Sequence, residues 1–462
     1  MRIAIIGGGL SGLTLAYYLQ QRGVAYDLFE AGARPGGNLL SPLAPEGYQL
    51  EAGPNSLLLS AELVDLITEL GLEDAIQEAA PVSQQRFVLR GGQFRALPGS
   101  PPALLASGFF SLRTKLRLLS ELARRPAEPV PGETVAAFFE RHFGSEVVEY
   151  AVRPFVAGIY AGDPSELLLS LTFPRLAELE RQHGSLLRGL ARGPKAVRRR
   201  TITLRGGVQT LTDALAGKLR NLHMGRAVTA LRAVAGGYQL EVAELDWAAV
   251  GAERVGDGPA AASPTYSTVA LAVPTYAAAE LLRPLALPGA RAAADALAAV
   301  RYPPLTLVYS AYDRAQVAHP LAGFGALHPP AEGTYAAGAI WTSSIFPDRV
   351  PAGQVLLTSF VGGAQFAAGA SQPAEQQLAV VHEELGRLYG ISGAPRWQGR
   401  YHWPRSIPQF DQHLAAARAA VAPLAARGLV AAANWQAGVS VPDCVKYTQE
   451  LAERLAAGAF PS

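Results

Sequence analysis

Six residues near the start of the chain, Gly7-Gly8-Gly9-Leu10-Ser11-Gly12, have the types and spacing to seat a pyrophosphate. They follow the apolar run Ile3 to Ile6 and precede a helical pattern over Leu13 to Gln21. A buried strand thus runs into a glycine turn, and a helix then starts with free N–H groups and partial positive charge facing the turn. Gly7 suits the tight turn, Gly9 close approach of a phosphate, and Gly12 close packing of helix on strand. A second strand, Val24 to Phe29, ends in Glu30, where a carboxylate accepts ribose hydroxyls and argues against a 2′-phosphate.

Beyond Glu30 the chain reads Ala31-Gly32-Ala33-Arg34-Pro35-Gly36-Gly37-Asn38. A second glycine pair just past the ribose position implies another close backbone approach. A bulky isoalloxazine needs one there and a nicotinamide does not. This continuation resembles the FAD-containing amine oxidase and phytoene desaturase superfamily, and FAD is the expected cofactor.

The elements that position these residues recur along the chain. Thr201 to Leu204, the helix from Thr210, the alternation Ala227-Val228-Thr229 turning at Gly236-Gly237, the apolar strand within Tyr266 to Pro274, and Leu429 to Ala433 all return to the cofactor-binding unit. The expected fold class is α/β: a discontinuous Rossmann-type FAD-binding domain (1–58, 201–275 and 425–462) with an α+β substrate-binding domain (276–424) and a mainly helical lobe (59–200). In that lobe Leu63, Leu66, Ile67 and Leu70 share one helix face.

At 462 residues the chain exceeds one core, and with 49% hydrophobic and 17% charged residues a sizeable interior is expected. Lys+Arg 40 against Asp+Glu 38 gives net +2, which does not recommend nucleic acid as a partner. The eight histidines lack metal spacing, and no metal site is expected. The single cysteine, Cys444, fits a reducing, cytoplasmic setting; it reads as a small buried thiol, with a covalent flavin link as the alternative.

Further segments narrow the family: Gly53-Pro54-Asn55-Ser56, Gly158-Ile159-Tyr160-Ala161-Gly162-Asp163-Pro164, Ser343-Ser344-Ile345-Phe346-Pro347-Asp348-Arg349, Trp403-Pro404-Arg405 and Gly438-Val439-Ser440-Val441-Pro442-Asp443-Cys444. In this order they resemble the protoporphyrinogen oxidase family, including its coproporphyrinogen oxidases, from residue 1 to about residue 455. The resemblance implies a six-electron oxidation of protoporphyrinogen IX in haem or porphyrin biosynthesis, with O2 as acceptor and H2O2 released. The alternatives are coproporphyrinogen III oxidation, another amine or carotenoid oxidase or desaturase, and a non-catalytic porphyrin carrier.

By position in the family's motifs, Gly7, Gly8, Gly9, Leu10, Ser11, Gly12, Glu30, Ala31, Gly36, Gly37 and Asn38 hold the ADP part and its linkage to the flavin. Gly53, Pro54, Asn55 and Ser56 run alongside the isoalloxazine. Val228 meets the adenine, and Trp403 with Val439, Ser440 and Val441 flank the flavin ring. Gly158, Phe346 and Leu327 line the tetrapyrrole pocket; Phe346 and Trp403 also read as plain core packing. No catalytic acid or base is assigned.

Some members of that family carry a basic residue shortly after Gly-Pro-Asn-Ser; here Leu57-Leu58-Leu59-Ser60-Ala61 stand instead. This leaves Arg86, Arg90, Arg95, Arg153 or solvent to meet a propionate. Pro101 to Arg125 pairs apolar residues, Phe109 and Phe110 among them, with a basic helix, a pattern for lying on a bilayer as well as for packing on the same lobe. The basic cluster Arg188 to Arg200 is a solvated loop or an anionic-lipid contact. A homodimer is open to the chain.

Overall fold

The computed structural model describes residues 1–98, 103, 106–192, 200–246, 253–254 and 264–458. Lys195, Arg198 and Arg199, Pro101, Leu104 and Leu105, most of the 251–263 loop and the terminal Pro461-Ser462 lie outside the described residues.

A five-stranded parallel sheet organises the cofactor-binding unit, in the order Leu429–Ala431, Thr268–Leu271, Arg2–Ile6, Ala25–Glu30, Leu222–Met224. The first strand is central because Ile3 to Ile6 are apolar on both faces and can be covered on both. On one face lie the helices Leu10–Gln21, Ala61–Leu70, Gln209–Lys218 and Val441–Ala456, sharing a buried cluster with Ile3 and Ile5. The Ala61–Leu70 helix shows the local logic: the Ser60 hydroxyl caps it by accepting from Leu63 N–H, left-handed Gly71 closes it, and Leu63, Leu66, Ile67 and Leu70 are buried.

On the other face Ala4, Ile6, Val269 and Leu271 join a cluster with the antiparallel hairpin Arg226–Val234/Gly237–Asp246 and the helices Thr275–Leu282, Ala290–Ala298 and Gln412–Val421. The structure therefore draws the segments differently from the sequence expectation here. The alanine-rich helices of 276–298 and 412–421 pack on one another and share a buried cluster with this face of the parallel sheet.

A second, seven-stranded sheet runs Trp397–Trp403, Leu305–Asp313, Gln354–Gly362, Gly338–Trp341, Gly325–Leu327, Phe87–Arg90, Gln93–Ala96. Its last two strands come from the 59–200 segment, expected to be mainly helical. Phe87 pairs with Ala326 and Val88 with Leu327, so this hairpin belongs to the seven-stranded sheet. The remaining helices of 112–192 form the lobe. Its interior holds a buried charge network: His142 lies between Glu121 (3.3 Å) and Glu180 (3.1 Å), and Arg141 bridges Glu180 and Glu133. Those partners assign His142 a structural place.

Candidate active site

The glycine turn forms as the sequence implies. Gly7 has φ +106°, and its N–H donates to Phe29 O at 2.8 Å, tying the turn to the second strand. The first intrahelical bond runs from Leu13 N–H to Gly9 O, which leaves the N–H groups before it for a ligand. The glycines differ in what surrounds them. A Cβ on Gly12 would sit 1.9 Å from Gly7 O, so helix and strand touch there. A Cβ on Gly9 meets nothing nearer than Gly37 Cα at 3.9 Å, so the space beside Gly9 is open.

Glu30 ends its strand with the carboxylate already aligned, accepting from Gly8 N–H and Gly32 N–H, each at 2.6 Å. The next segment returns to the turn: Gly36 N–H donates to Gly8 O at 2.8 Å, and Gly36 forms a bridge with Gly9. Ala31, Gly37 and Asn38 are exposed beside it. Gly225, just before the hairpin strand carrying Val228, donates to Gly32 O at 3.3 Å, bringing that strand to the Glu30 end.

Gly53 lies where only a glycine fits, its Cβ position 1.9 Å from Asn38 O. The Gly53–Ser56 stretch is thereby held against the second glycine pair. Trp403 reaches the same stretch from the edge strand of the large sheet, its indole N–H donating to Ala52 O at 2.6 Å. The Val439-Ser440-Val441 turn starts the last helix, where the Ser440 hydroxyl accepts from Asp443 N–H. That helix packs on the first one, joined by the Thr14 and Thr448 hydroxyls at 2.8 Å. Cys444 is buried, and burial pushes its thiol up to about 12. A thiol held protonated in this way packs as a small apolar group and does not support the covalent alternative.

On the substrate side, Gly158 and Leu327 come together: a Cβ on Gly158 would lie 3.1 Å from Leu327 Cδ2. Phe346 lines a small hollow with Asn55, Ser56, Phe324, Ile340 and Arg349, so it adjoins the Gly53–Ser56 stretch. Phe324 directly precedes the strand Gly325–Leu327, which links the hollow to Gly158.

The four candidate arginines separate clearly. Arg90 is paired with Glu146 and lies over Tyr150, Arg153 bonds Glu149 and Asp163, and Arg95 reaches Gly108 O. Arg86 has no carboxylate partner among the described residues, and its guanidinium sits 5.0 Å from the Phe324 ring centroid. It is open to solvent, yet surrounding protein lowers its pKa by desolvation.

Sequence reasoning missed a buried pair beneath this site. Glu51, 2% exposed, accepts from Arg349 at 2.7 Å, from Ser41 and from Val208 N–H. Burial pushes Glu51 up to about 7 against the pull of Arg349, and the same burial lowers Arg349. Glu51 is 298 positions from Arg349; only the Phe-Pro-x-Arg context of Arg349 hinted at a role.

Residues 10–456 match the flavin-containing amine oxidoreductase family. Protoporphyrinogen oxidase of Oryza sativa subsp. japonica chloroplasts is 32% identical, over 98% of this chain and 87% of that protein.

The chain belongs to the protoporphyrinogen oxidase family.

It is an FAD-dependent oxidoreductase of the flavin-containing amine oxidoreductase type. Within the same set of relatives, coproporphyrinogen III oxidase of Bacillus subtilis (strain 168) is 26% identical over 96% of this chain and 95% of its own. A crystal structure from Exiguobacterium sp. 255-15, provisionally assigned as a protoporphyrinogen oxidase, superposes with TM-score 0.77 at 21% identity, covering 99% of this chain and 98% of that one. Cyclohexylamine oxidase of Brevibacterium oxydans IH-35A gives 0.67 at 16%, with 99% of each chain covered. These two likenesses establish the FAD amine oxidase fold. The open space beside Gly9, the aligned Glu30 carboxylate and the close Gly53 approach fit that cofactor.

Proposed function

We propose that this protein oxidises protoporphyrinogen IX to protoporphyrin IX, releasing six electrons and six protons in three two-electron steps, with three O2 reduced to three H2O2. The observation that carries the reading is the full-length likeness to protoporphyrinogen oxidases, joined to an Arg86 that has no carboxylate partner among the described residues and lies against the Phe324 ring.

FAD, when bound, supplies the two-electron acceptance and its reoxidation by O2. The chain's own groups hold and orient. The Gly7–Gly12 turn and Glu30 take the pyrophosphate and ribose, with Ala31 and Gly36–Asn38 continuing along the cofactor. Val228 contacts the adenine. Gly53–Ser56, Trp403 and Val439–Val441 enclose the isoalloxazine, the last at a helix start that favours negative charge on the reduced ring. Gly158, Leu327, Phe324 and Phe346 present apolar surface to the macrocycle, and Arg86 takes one propionate.

A membrane surface is the second partner in this reading. Among the described residues no helix is long and apolar enough to cross a bilayer. The helix Leu112–Glu121 instead turns Leu112 (73% exposed), Leu116 and Leu119 to solvent while Thr114, Leu118 and Glu121 face the lobe. Leu122 and the exposed Arg113 and Arg125 continue that surface. Phe109 and Phe110, for which the sequence left bilayer and lobe packing equally open, are buried in the lobe core, where Arg90 binds Phe109 O. The leucine face matches a bilayer interface and a poorly soluble substrate.

The test supplies protoporphyrinogen IX and coproporphyrinogen III separately, with and without air, and follows porphyrin fluorescence and flavin bleaching. Faster turnover of protoporphyrinogen, with anaerobic bleaching, is expected. Bleaching by amines or carotenoids alone, or porphyrin binding without bleaching, would refute the proposal.

A further inference from the structure

We propose that Arg349 is a positioning residue that locks the flavin-flanking segment and the substrate wall into one rigid unit, anchored by Glu51. The inference rests on the proposed function for the identity of the two surfaces, while the coupling itself stands on geometry.

Arg349 follows Phe346 by one short 3₁₀ turn and is 3% exposed. One terminal nitrogen donates to Asn55 O at 3.2 Å; the other donates to Glu51 at 2.7 Å and to the Thr203 hydroxyl. The guanidinium centre lies 4.6 Å from the Phe346 ring centroid, so the ring rests on the cation. One planar group thus meets three partners on two other chain segments, Glu51 and Asn55 on one and Thr203 on another, and an aromatic face, a set that a lysine ammonium cannot reproduce.

Glu51 is fixed independently by Ser41 and Val208 N–H, and its own carbonyl accepts from Tyr309 OH at 2.7 Å. With the Trp403 bond to Ala52 O, three side chains of the large-sheet unit hold the carbonyls of Glu51, Ala52 and Asn55. Stability alone does not call for an ion pair here, since well-packed apolar groups serve a core equally well. What the pair adds is a fixed distance between the Asn55 backbone and the Phe346 ring, which line the same small hollow beside the Gly53–Ser56 stretch.

The test compares holoprotein of the wild type, Arg349→Lys and Glu51→Gln by bound flavin per chain, by KM and kcat for porphyrinogen oxidation, and by hydrogen exchange. Arg349→Lys is expected to keep its flavin and lose about tenfold to a hundredfold in kcat per bound flavin, with KM changing less. Exchange is expected to rise together at 51–56 and 342–349 and stay unchanged at 7–12. Should Arg349→Lys not accumulate folded, the near-isosteric Glu51→Gln carries the same expectation at about tenfold. A wild-type kcat per flavin, or exchange that rises in one segment alone, would overturn the inference. A wild type that oxidises neither porphyrinogen would sink the functional reading and leave the coupling to be judged by exchange.

Discussion

Two glycines of the first turn offer a clean separation of folding from cofactor binding. Gly9 has φ −71° and ψ 178°, a conformation alanine adopts freely, and its Cβ would touch no atom within 3.9 Å. Substituting Gly9→Ala forfeits a modest helix-cap preference, about 1 kcal/mol, and regains about 0.4–1 kcal/mol from a less flexible unfolded chain. The apoprotein should therefore keep its stability to within about 1 kcal/mol. The added methyl group projects into the space assigned to the pyrophosphate, where three or more backbone contacts to phosphate would lengthen together. At roughly 1 kcal/mol each, their loss weakens FAD binding by about a hundredfold or more. Gly12→Ala should behave oppositely. Its Cβ would lie 1.9 Å from a backbone carbonyl oxygen, so the helix must shift off the central strand, a strain of about 3 kcal/mol or more that appears in the apoprotein. Urea unfolding of both apoproteins and titration with FAD, read by quenching of flavin fluorescence, decide the matter. Wild-type FAD affinity in Gly9→Ala would refute the placement of the pyrophosphate, and an unchanged urea midpoint in Gly12→Ala would refute the packing argument.

Replacing Arg86 by Met removes one charge-assisted contact worth about 1.5–3 kcal/mol, so KM for protoporphyrinogen should rise by about tenfold or more with kcat little altered; an unchanged KM places the propionate elsewhere. Leu116→Ser with Leu119→Ser should weaken binding to anionic vesicles by at least about tenfold in a flotation assay while leaving turnover of detergent-dispersed substrate intact. The buried Glu51 should leave a pH signature. Its folded pKa, raised to about 7, exceeds the unfolded value, so the folded state binds more protons and stability falls as pH rises from about 4.5 to 7. The difference between wild type and Glu51→Gln should change by up to about 3 kcal/mol across that window and level off above it, measured by urea unfolding at each pH. A difference that stays flat shows that Glu51 remains ionised beside Arg349.

The cofactor-binding half was legible because its signals are local. A strand, a glycine turn and a helix start are adjacent in sequence, and Glu30 follows at the end of the very next strand, so spacing alone carries the geometry. The hairpin at Gly236-Gly237 and the face of Leu63, Leu66, Ile67 and Leu70 were legible for the same reason: turn chemistry and helical period act over a few residues. The alanine-rich helices at 290–298 and 412–421 were not. Their composition fits either sheet, and only the fold shows that they share a buried cluster with Ala4 and Val269.

The substrate side resisted a sequence reading because its essential contacts join positions with no local pattern. The pairing of Phe87 with Ala326 depends on two edges meeting, and neither strand's alternation names its partner. Charge conceals even more. The four candidates Arg86, Arg90, Arg95 and Arg153 look equivalent in the sequence, yet the fold pairs Arg90 with Glu146 and Arg153 with Asp163, gives Arg95 the carbonyl of Gly108, and leaves Arg86 with no polar side-chain partner among the described residues. The Phe324 ring against its guanidinium, rather than any motif, is what singles out Arg86 as the candidate to meet a carboxylate of the proposed substrate.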